Sequence, residues 1–343
     1  MNSLYIESLL NKRTFISYLL YPFSLLYIFI VCLRRFIFGA IPRFSYRSRC
    51  KIISIGNITT GGSGKTPFVL YLANELKEKH KIAIVLRGYK GDLENTNTLI
   101  SDYTIVYDNV ARAGDEAILY ATNLKNVPIC VGKNRVKSIR LLEDKFPELE
   151  MVLMDDAFQY LKVKQDTKIC IFKHINPISN GFCLPAGLLR EPMNSLKYAD
   201  YLVINGDMNL IKKEVLDYLQ KYKKPILNGD YQITSIKDRH EQKIDIESLK
   251  KKKLVLLSGI GSPKSFENTI KNADLTFFKH IQMPDHFHYT QIFLDKLNTD
   301  CDKQYDYILT TEKDYTKIQY IKHDLPILVV TIKFGMTSVG FSS

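Results

Sequence analysis

Hydrophobic and polar positions fall into three rhythms along the chain. From Thr14 to Leu33 the run TFISYLLYPFSLLYIFIVCL carries no charge, and Lys12-Arg13 and Arg34-Arg35 bracket it. A helix of about 20 apolar residues is long enough to cross a bilayer. No small-residue cleavage site follows, so a removable signal is not expected. Pro22 and Ser24 interrupt a straight spanning helix, and basic residues on both sides leave the orientation open. Tyr18, Tyr21 and Tyr27 suit a helix lying at headgroup level equally well. Membrane attachment is preferred over a buried core helix, with spanning and interfacial forms both open. A basic connector, Ile37 to Arg49, comes next.

From Lys51 to about Leu227 short β-branched runs alternate with helical patterns. The predicted strands are IISIG, IAIVLRG, TIVYD, VPICVG, EMVLMDD, KICIF and YLVING. Helices are predicted after Lys65, near Asp115 and from Arg135 through Leu142. Such alternation implies a mostly parallel sheet with helices on both faces. Lys237 to Lys253 is polar and basic and reads as a linker or exposed surface. A second, smaller α/β set follows: LVLLSGIG, a helix from Pro263, DLTFFKHI, a helix near Thr290, YDYILTTEK and ILVVTIKF. The predicted division is residues 1–49, 50–227 and 228–343.

Composition adds constraints. With 343 residues, 45% hydrophobic and 24% charged, the chain is long enough for two cores. Its six cysteines are scattered, without a CxxC pair, which argues against a zinc site or a disulfide framework. The net charge of +12 points to anionic partners: nucleic acid, acidic lipid or a phosphorylated substrate.

The chemistry begins at GNITTGGSGKTP, between a strand and a helix. Backbone N–H groups of a Gly-rich turn wrap phosphate oxygens, and the next helix presents its positive end to them. Thr59, Thr60, Gly61, Gly62, Ser63, Gly64, Lys65 and Thr66 are the candidate nucleotide loop, although Thr59 stands where the common pattern opens with Gly. Lys65 would reach the β/γ-phosphates and Thr66 would put its hydroxyl on Mg²⁺. Asp155 and Asp156 end an apolar strand, a position that favours the metal side over simple turn capping. Asp115 and Glu116 open a helix, where they either favour its N-terminus or divide metal and acceptor duties between them. Arg87 and Tyr89, Arg135, and Arg190 with Glu191 are further islands of charge beside special backbone residues. His286, in PDHFHY, belongs to the densest histidine cluster.

Taken together, GNITTGGSGKTP, LRGY, AGDEA, VGKNR, DDAFQY, LPAGLLREP, PDHFHY and LTTEKD stand in the order found in the tetraacyldisaccharide 4′-kinase family, which the chain resembles to about residue 330. The resemblance implies a P-loop NTPase-like α/β kinase domain, a smaller α/β C-terminal domain joined by a short two-stranded linker, and a membrane-associated N-terminal helix. It implies transfer of the ATP γ-phosphate to the 4′-hydroxyl of a tetraacylated glucosamine disaccharide 1-phosphate, giving lipid IV-A. ATP and Mg²⁺ are the implied cofactors. Asp115 matches the family's catalytic carboxylate and His286 its partner in a dyad assembled from both domains. Glu116, Asp155 and Asp156 match the Mg·ATP side, and the loop normally lacks the leading Gly. Arg87, Tyr89, Arg135, Gln159, Arg190 and Glu191 fall on cleft-lining, substrate-binding positions. The substrate would be membrane-embedded, on an anionic surface of the inner membrane's cytoplasmic side. The enzyme is expected to be a monomer without a nucleic-acid partner. Ala157 and Tyr160 depart from the family's DDGFQH, Ala117 departs from GDEP, and nothing after Lys333 matches a motif. The other reading is a membrane-associated P-loop ATPase or GTPase switch of the partitioning or targeting type, whose signature Lys would stand at Thr60.

Overall fold

The computed structural model describes residues 10–89, 91–107, 112–285, 287–300 and 305–337. The chain forms two compact units: Met1–Asp230 with Met336–Ser343, and Tyr231–Gly335.

In the first unit the sheet strands are β1 (Lys51–Gly56), β2 (Ile82–Leu86), β3 (Thr98–Ser101), β4 (Ile129–Val131), β5 (Met151–Met154), β6 (Thr167–Lys173), β7 (Tyr201–Asn205) and the start of β8 (Ile226–Lys237). They lie in the order β8-β7-β6-β1-β5-β2-β4-β3, parallel except for the edge strand β3. Strands β1 and β2 are apolar almost throughout because helices cover both faces, as a parallel sheet requires. Val152 and Met154 pack with Ile139 and Leu142 in one cluster, while Phe172, Leu202 and Leu219 pack in another. The three predicted helices occupy Lys65–Lys77, Asp115–Asn123 and Arg135–Lys145. The loops that carry chemistry leave the C-terminal ends of β1 and β5, neighbours in the sheet.

TIVYD is not a regular strand. Asp102 accepts hydrogen bonds from the backbone of Thr104 and Ile105 and from the Tyr107 hydroxyl, which folds the segment into a turn. Among the described residues of that run only Val106 keeps a bridge, to Ser101, and the strand lies one step earlier, at Thr98–Ser101.

The apolar run is one helix, Phe15–Ala40, longer than the uncharged segment and continuous through Pro22. Thr14 caps it, accepting from the Ser17 N–H while the Ser17 hydroxyl accepts from the Thr14 N–H. Its buried residues are Ser17, Ser24 and Arg35. At 3.6 residues per turn, these fall on one narrow stripe. The exposed remainder is apolar: Phe15, Leu19, Phe23, Phe29 and Phe36 are each more than 60% exposed. The polar stripe faces the protein and the apolar side faces outward, the reverse of a soluble surface helix.

In the second unit the order is β11-β10-β12-β13-β8-β9, with β9 Lys243–Ile244, β10 Leu254–Ser258, β11 Lys279–Gln282, β12 Tyr307–Thr311 and β13 Ile327–Thr337. Long strands β8 and β13 lie side by side there. Residues 237–253 are more than a linker. They hold β9 and a short helix, Ile246–Leu249, whose buried Leu249 joins the core of this unit. Within DLTFFKHI, only the last residues enter a strand.

Candidate active site

The Gly-rich loop begins where β1 ends. Gly56 has no room for a side chain, because a Cβ there would come within 2.6 Å of the Phe158 Cβ. That close approach brings the β1 loop against the turn after β5. Thr59 forms a bridge with Leu189, the Thr60 N–H donates to Leu188 O at 2.8 Å, and the Arg190 N–H donates to Ile58 O at 2.7 Å. The LPAGLLREP segment is therefore a backbone splint along the loop. Gly64 takes φ +79°, a left-handed conformation suited to glycine, and the helix Lys65–Lys77 starts from it. No acidic residue stands in its first turn, so its positive end is left for an anion. Gly61 also has positive φ, and the Ser63 carbonyl accepts from Asn205 Nδ2 at 3.0 Å.

Lys65 and the two aspartates form the charged centre. Lys65 Nζ lies 3.2 Å from Asn57 Oδ1 and 3.3 Å from Asp156 Oδ1. Arg190 Nη1 is 3.1 Å from each Asp156 carboxylate oxygen. Burial alone would raise the Asp156 pKa, but the Lys65 and Arg190 cations outweigh it and hold the carboxyl at about 2. Asp156 occupies φ +47°, a left-handed position that Asp tolerates better than most residues. Asp155 is buried, with Oδ2 accepting from the Tyr120 hydroxyl at 2.7 Å and Oδ1 without a hydrogen-bond partner among the described residues. Burial raises its pKa to about 6 despite the nearby Lys65. Two adjacent carboxyls thus have opposite electrostatics: Asp156 is paired with two cations, whereas Asp155 is buried with its pKa raised.

Among the described residues no three His, Cys, Asp or Glu side chains gather into a metal cage. Mg²⁺ needs none, since it is commonly held by one or two carboxylates together with substrate phosphates. The open Asp155 oxygen, the hard oxygen of Thr66 and the nearby charge of Glu116 fit that ion. Tyr120 joins the set, as its hydroxyl interacts with both Asp155 and Thr66. No sequence motif singles out Tyr120, although it follows Glu116 by four residues and so shares its helix face. Asn57 is not singled out either; it directly follows β1.

Asp115 and Glu116 open the helix Asp115–Asn123 after Gly114 (φ +93°). The LRGY turn lies against the residues just before them, because a Cβ on Gly88 (φ +67°) would meet Ala113 O at 2.8 Å. Arg87 pairs with Glu94 at 2.5 Å, and its guanidinium stands 5.7 Å from the Tyr89 ring centre. Arg135 is buried, and burial lowers its pKa. Its guanidinium stacks on the Tyr160 ring at 5.3 Å, and its backbone N–H donates to the Tyr160 hydroxyl. Tyr160, the departure from the family's His, therefore supports Arg135. Gln159 Nε2 donates to Asn57 O at 2.7 Å. Glu191, expected to line a cleft, is 3% exposed and pairs with Arg35 of the long helix at 2.6 Å. An unpaired buried carboxylate would be too costly there, which accounts for the partner.

His286 lies outside the described residues. Its segment is held from beneath in the second unit: buried Asp314 accepts from the Tyr289 hydroxyl at 3.1 Å and from the Gly259 N–H at 3.0 Å. This explains why LTTEKD and PDHFHY occur together.

Residues 16–341 match the family described as tetraacyldisaccharide-1-P 4′-kinase. This chain belongs to that family. The match runs to residue 341, past residue 330, to which the resemblance in the sequence motifs extends. A tetraacyldisaccharide 4′-kinase of Halothermothrix orenii is 30% identical over 334 residues, covering 91% of this chain and 87% of the relative. One from Francisella tularensis subsp. novicida is 30% identical, covering 84% and 88%. The crystal structure of LpxK from Aquifex aeolicus in complex with ATP is similar at a TM-score of 0.72 and 28% identity, covering 94% of this chain and 95% of that one. The fold is accordingly P-loop NTPase-like, and the switch-ATPase reading is not favoured.

Proposed function

We propose that the Lys65–Asp155–Asp156 centre binds ATP with Mg²⁺, and that Asp115 takes the proton of the acceptor hydroxyl. The enzyme is a tetraacyldisaccharide 4′-kinase of lipid A biosynthesis, an assignment that rests on family membership along nearly the whole chain. The observation that carries the site is the split between adjacent carboxyls: Asp156 satisfied by two cations, Asp155 buried with an open oxygen.

Phosphoryl transfer asks little covalent chemistry of a protein; positioning and charge neutralisation do most of the work. The N–H groups from Gly61 to Thr66 and the start of the following helix would hold phosphate oxygens. Lys65 neutralises charge there, and Arg190 keeps Asp156 from drawing Lys65 away from it. Asp155, Thr66 and Glu116 would hold Mg²⁺, which supplies further charge neutralisation when bound. Asp115 would accept the 4′-hydroxyl proton as the oxygen attacks phosphorus, and His286 is proposed to support its basicity. Arg87, Tyr89 and Arg135 are proposed contacts of the anionic acceptor.

The apolar outward face of Phe15–Ala40 supports work at a membrane, proposed here as the cytoplasmic side of the inner membrane with its anionic lipids. Arg34, Arg43 and Arg47 would each add about 1 kcal/mol near such a surface. A monomeric enzyme is proposed. The test is ADP release by purified protein with and without a tetraacyldisaccharide 1-phosphate acceptor. Strict acceptor dependence is expected, and acceptor-independent turnover would return the chain to the switch class.

A further inference from the structure

The long N-terminal helix carries more than an apolar face. Its polar residues grip the two segments that position Asp156. On one side Arg35 contacts Glu191 Oε2 through both Nε, at 2.8 Å, and Nη2, at 2.6 Å. The Tyr27 hydroxyl donates to Arg190 O at 2.8 Å. On the other side Arg34 Nη2 donates to Gln159 O at 2.8 Å, and Arg35 Nη2 lies 3.4 Å from Phe158 O. The Arg35 guanidinium also stands over the Phe158 ring at 5.2 Å. Higher on the same stripe, Ser24 donates to Cys183 O and accepts from the Ala186 N–H, fixing the start of the LPAGLLREP segment.

These contacts converge. Arg190 holds both oxygens of Asp156, Asp156 faces Lys65, and the residues around Arg190 splint the Gly-rich loop. Asp156 itself stands in a left-handed backbone conformation, which persists only where surroundings impose it. Neither a pure membrane anchor nor a passive surface helix needs a buried ion pair aimed at this segment. Such a pair is a poor source of net stability and a good source of fixed geometry.

We propose that the helix Phe15–Ala40 is a positioning element of the nucleotide site, with Arg35 acting through Glu191 and Arg190 to hold Asp156 and Lys65 in place. The proposal rests on the reading of Lys65 and Asp156 as the phosphate side of that site. It separates two duties within one helix: the apolar face addresses lipid and the polar stripe addresses ATP. Damage to the stripe then weakens nucleotide binding even when no lipid or acceptor is present.

The test is calorimetric titration of the full-length protein in detergent with a non-hydrolysable ATP analogue and Mg²⁺, without acceptor. Melting temperature and partition into phosphatidylglycerol-containing vesicles are measured in parallel. Arg35→Ala is expected to raise the analogue Kd about tenfold, with vesicle partition unchanged and Arg35→Lys intermediate. Tyr27→Phe, which keeps the ring and removes one hydrogen bond, is expected to raise Kd about threefold. An unchanged Kd in both variants, with wild type binding normally, overturns the inference and leaves the site reading intact. Wild type that fails to bind the analogue overturns both. Should Arg35→Ala fail to fold, Tyr27→Phe decides alone: a raised Kd supports the inference and an unchanged one overturns it.

Discussion

At the scale of single residues, the site is organised by how differently it treats Asp155 and Asp156. Asp155 is buried, and burial outweighs the nearby Lys65 cation, so its folded pKa of about 6 lies above the unfolded value. A carboxyl raised in this way opposes folding above that value and ceases to do so as pH falls through about 6 toward about 4. Asp155→Asn is therefore predicted to raise the melting temperature of the unliganded protein by a few degrees at pH 7.5, with the gain shrinking toward pH 4. The same substitution should abolish the Mg²⁺ dependence of ATP binding. Asp156 has the opposite sign. Its carboxyl is held at about 2, so its stabilisation is present above the unfolded value near 4 and is lost as pH falls toward 2. Asp115→Ala is expected to lower kcat by about 100-fold or more while the KM for ATP stays within about threefold, since in its proposed role Asp115 acts as a base only in the transfer step. A steady-state kinetic comparison checks it; a raised KM with kcat retained would remove Asp115 from the base role.

At the scale of elements, the long helix and the LPAGLLREP segment behave as one unit. Ser24 satisfies two buried backbone groups, a carbonyl and an N–H, at once. Ser24→Ala leaves both unpaired and is predicted to cost about 1–3 kcal/mol, read by thermal denaturation in detergent. The outward face answers to a different test. Phe23→Asp with Phe29→Asp should sharply reduce vesicle partition and leave ATP affinity within about twofold, because both side chains are largely exposed. In the sequence, Ser24 and Pro22 look like defects in a spanning helix. In the fold, Ser24 is a docking residue and the helix runs unbroken through Pro22. Periodicity exposes an apolar run readily, but it cannot say that a polar stripe within the run has buried partners about 160 residues away.

At the scale of the whole molecule, the parallel sheet was legible because its strands are continuous apolar runs separated by helical patterns, and the Gly-rich loop lies at the one junction where that pattern needs it. The TIVYD strand failed because Asp102 turns the chain locally, a side-chain effect that outweighs β propensity. The loop, the aspartate pair and Arg190 were legible as motif residues. Asn57, Tyr120 and the true partner of Glu191 were not, because each depends on a tertiary neighbour: Lys65, Asp155 and Arg35 respectively. Motif order named the family, and geometry then distinguished Glu191, which braces the site from inside, from Arg190, which meets Asp156.

The central claim is that this constellation moves a phosphoryl group from ATP to one sugar hydroxyl of a lipid. Phosphorus NMR with mass spectrometry of the lipid recovered after incubation with ATP, Mg²⁺ and tetraacyldisaccharide 1-phosphate tests it most directly. One new phosphomonoester at the 4′ position is expected, lost in Lys65→Met and Asp115→Ala. ATP consumption with no phosphorus gained at that position would contradict it.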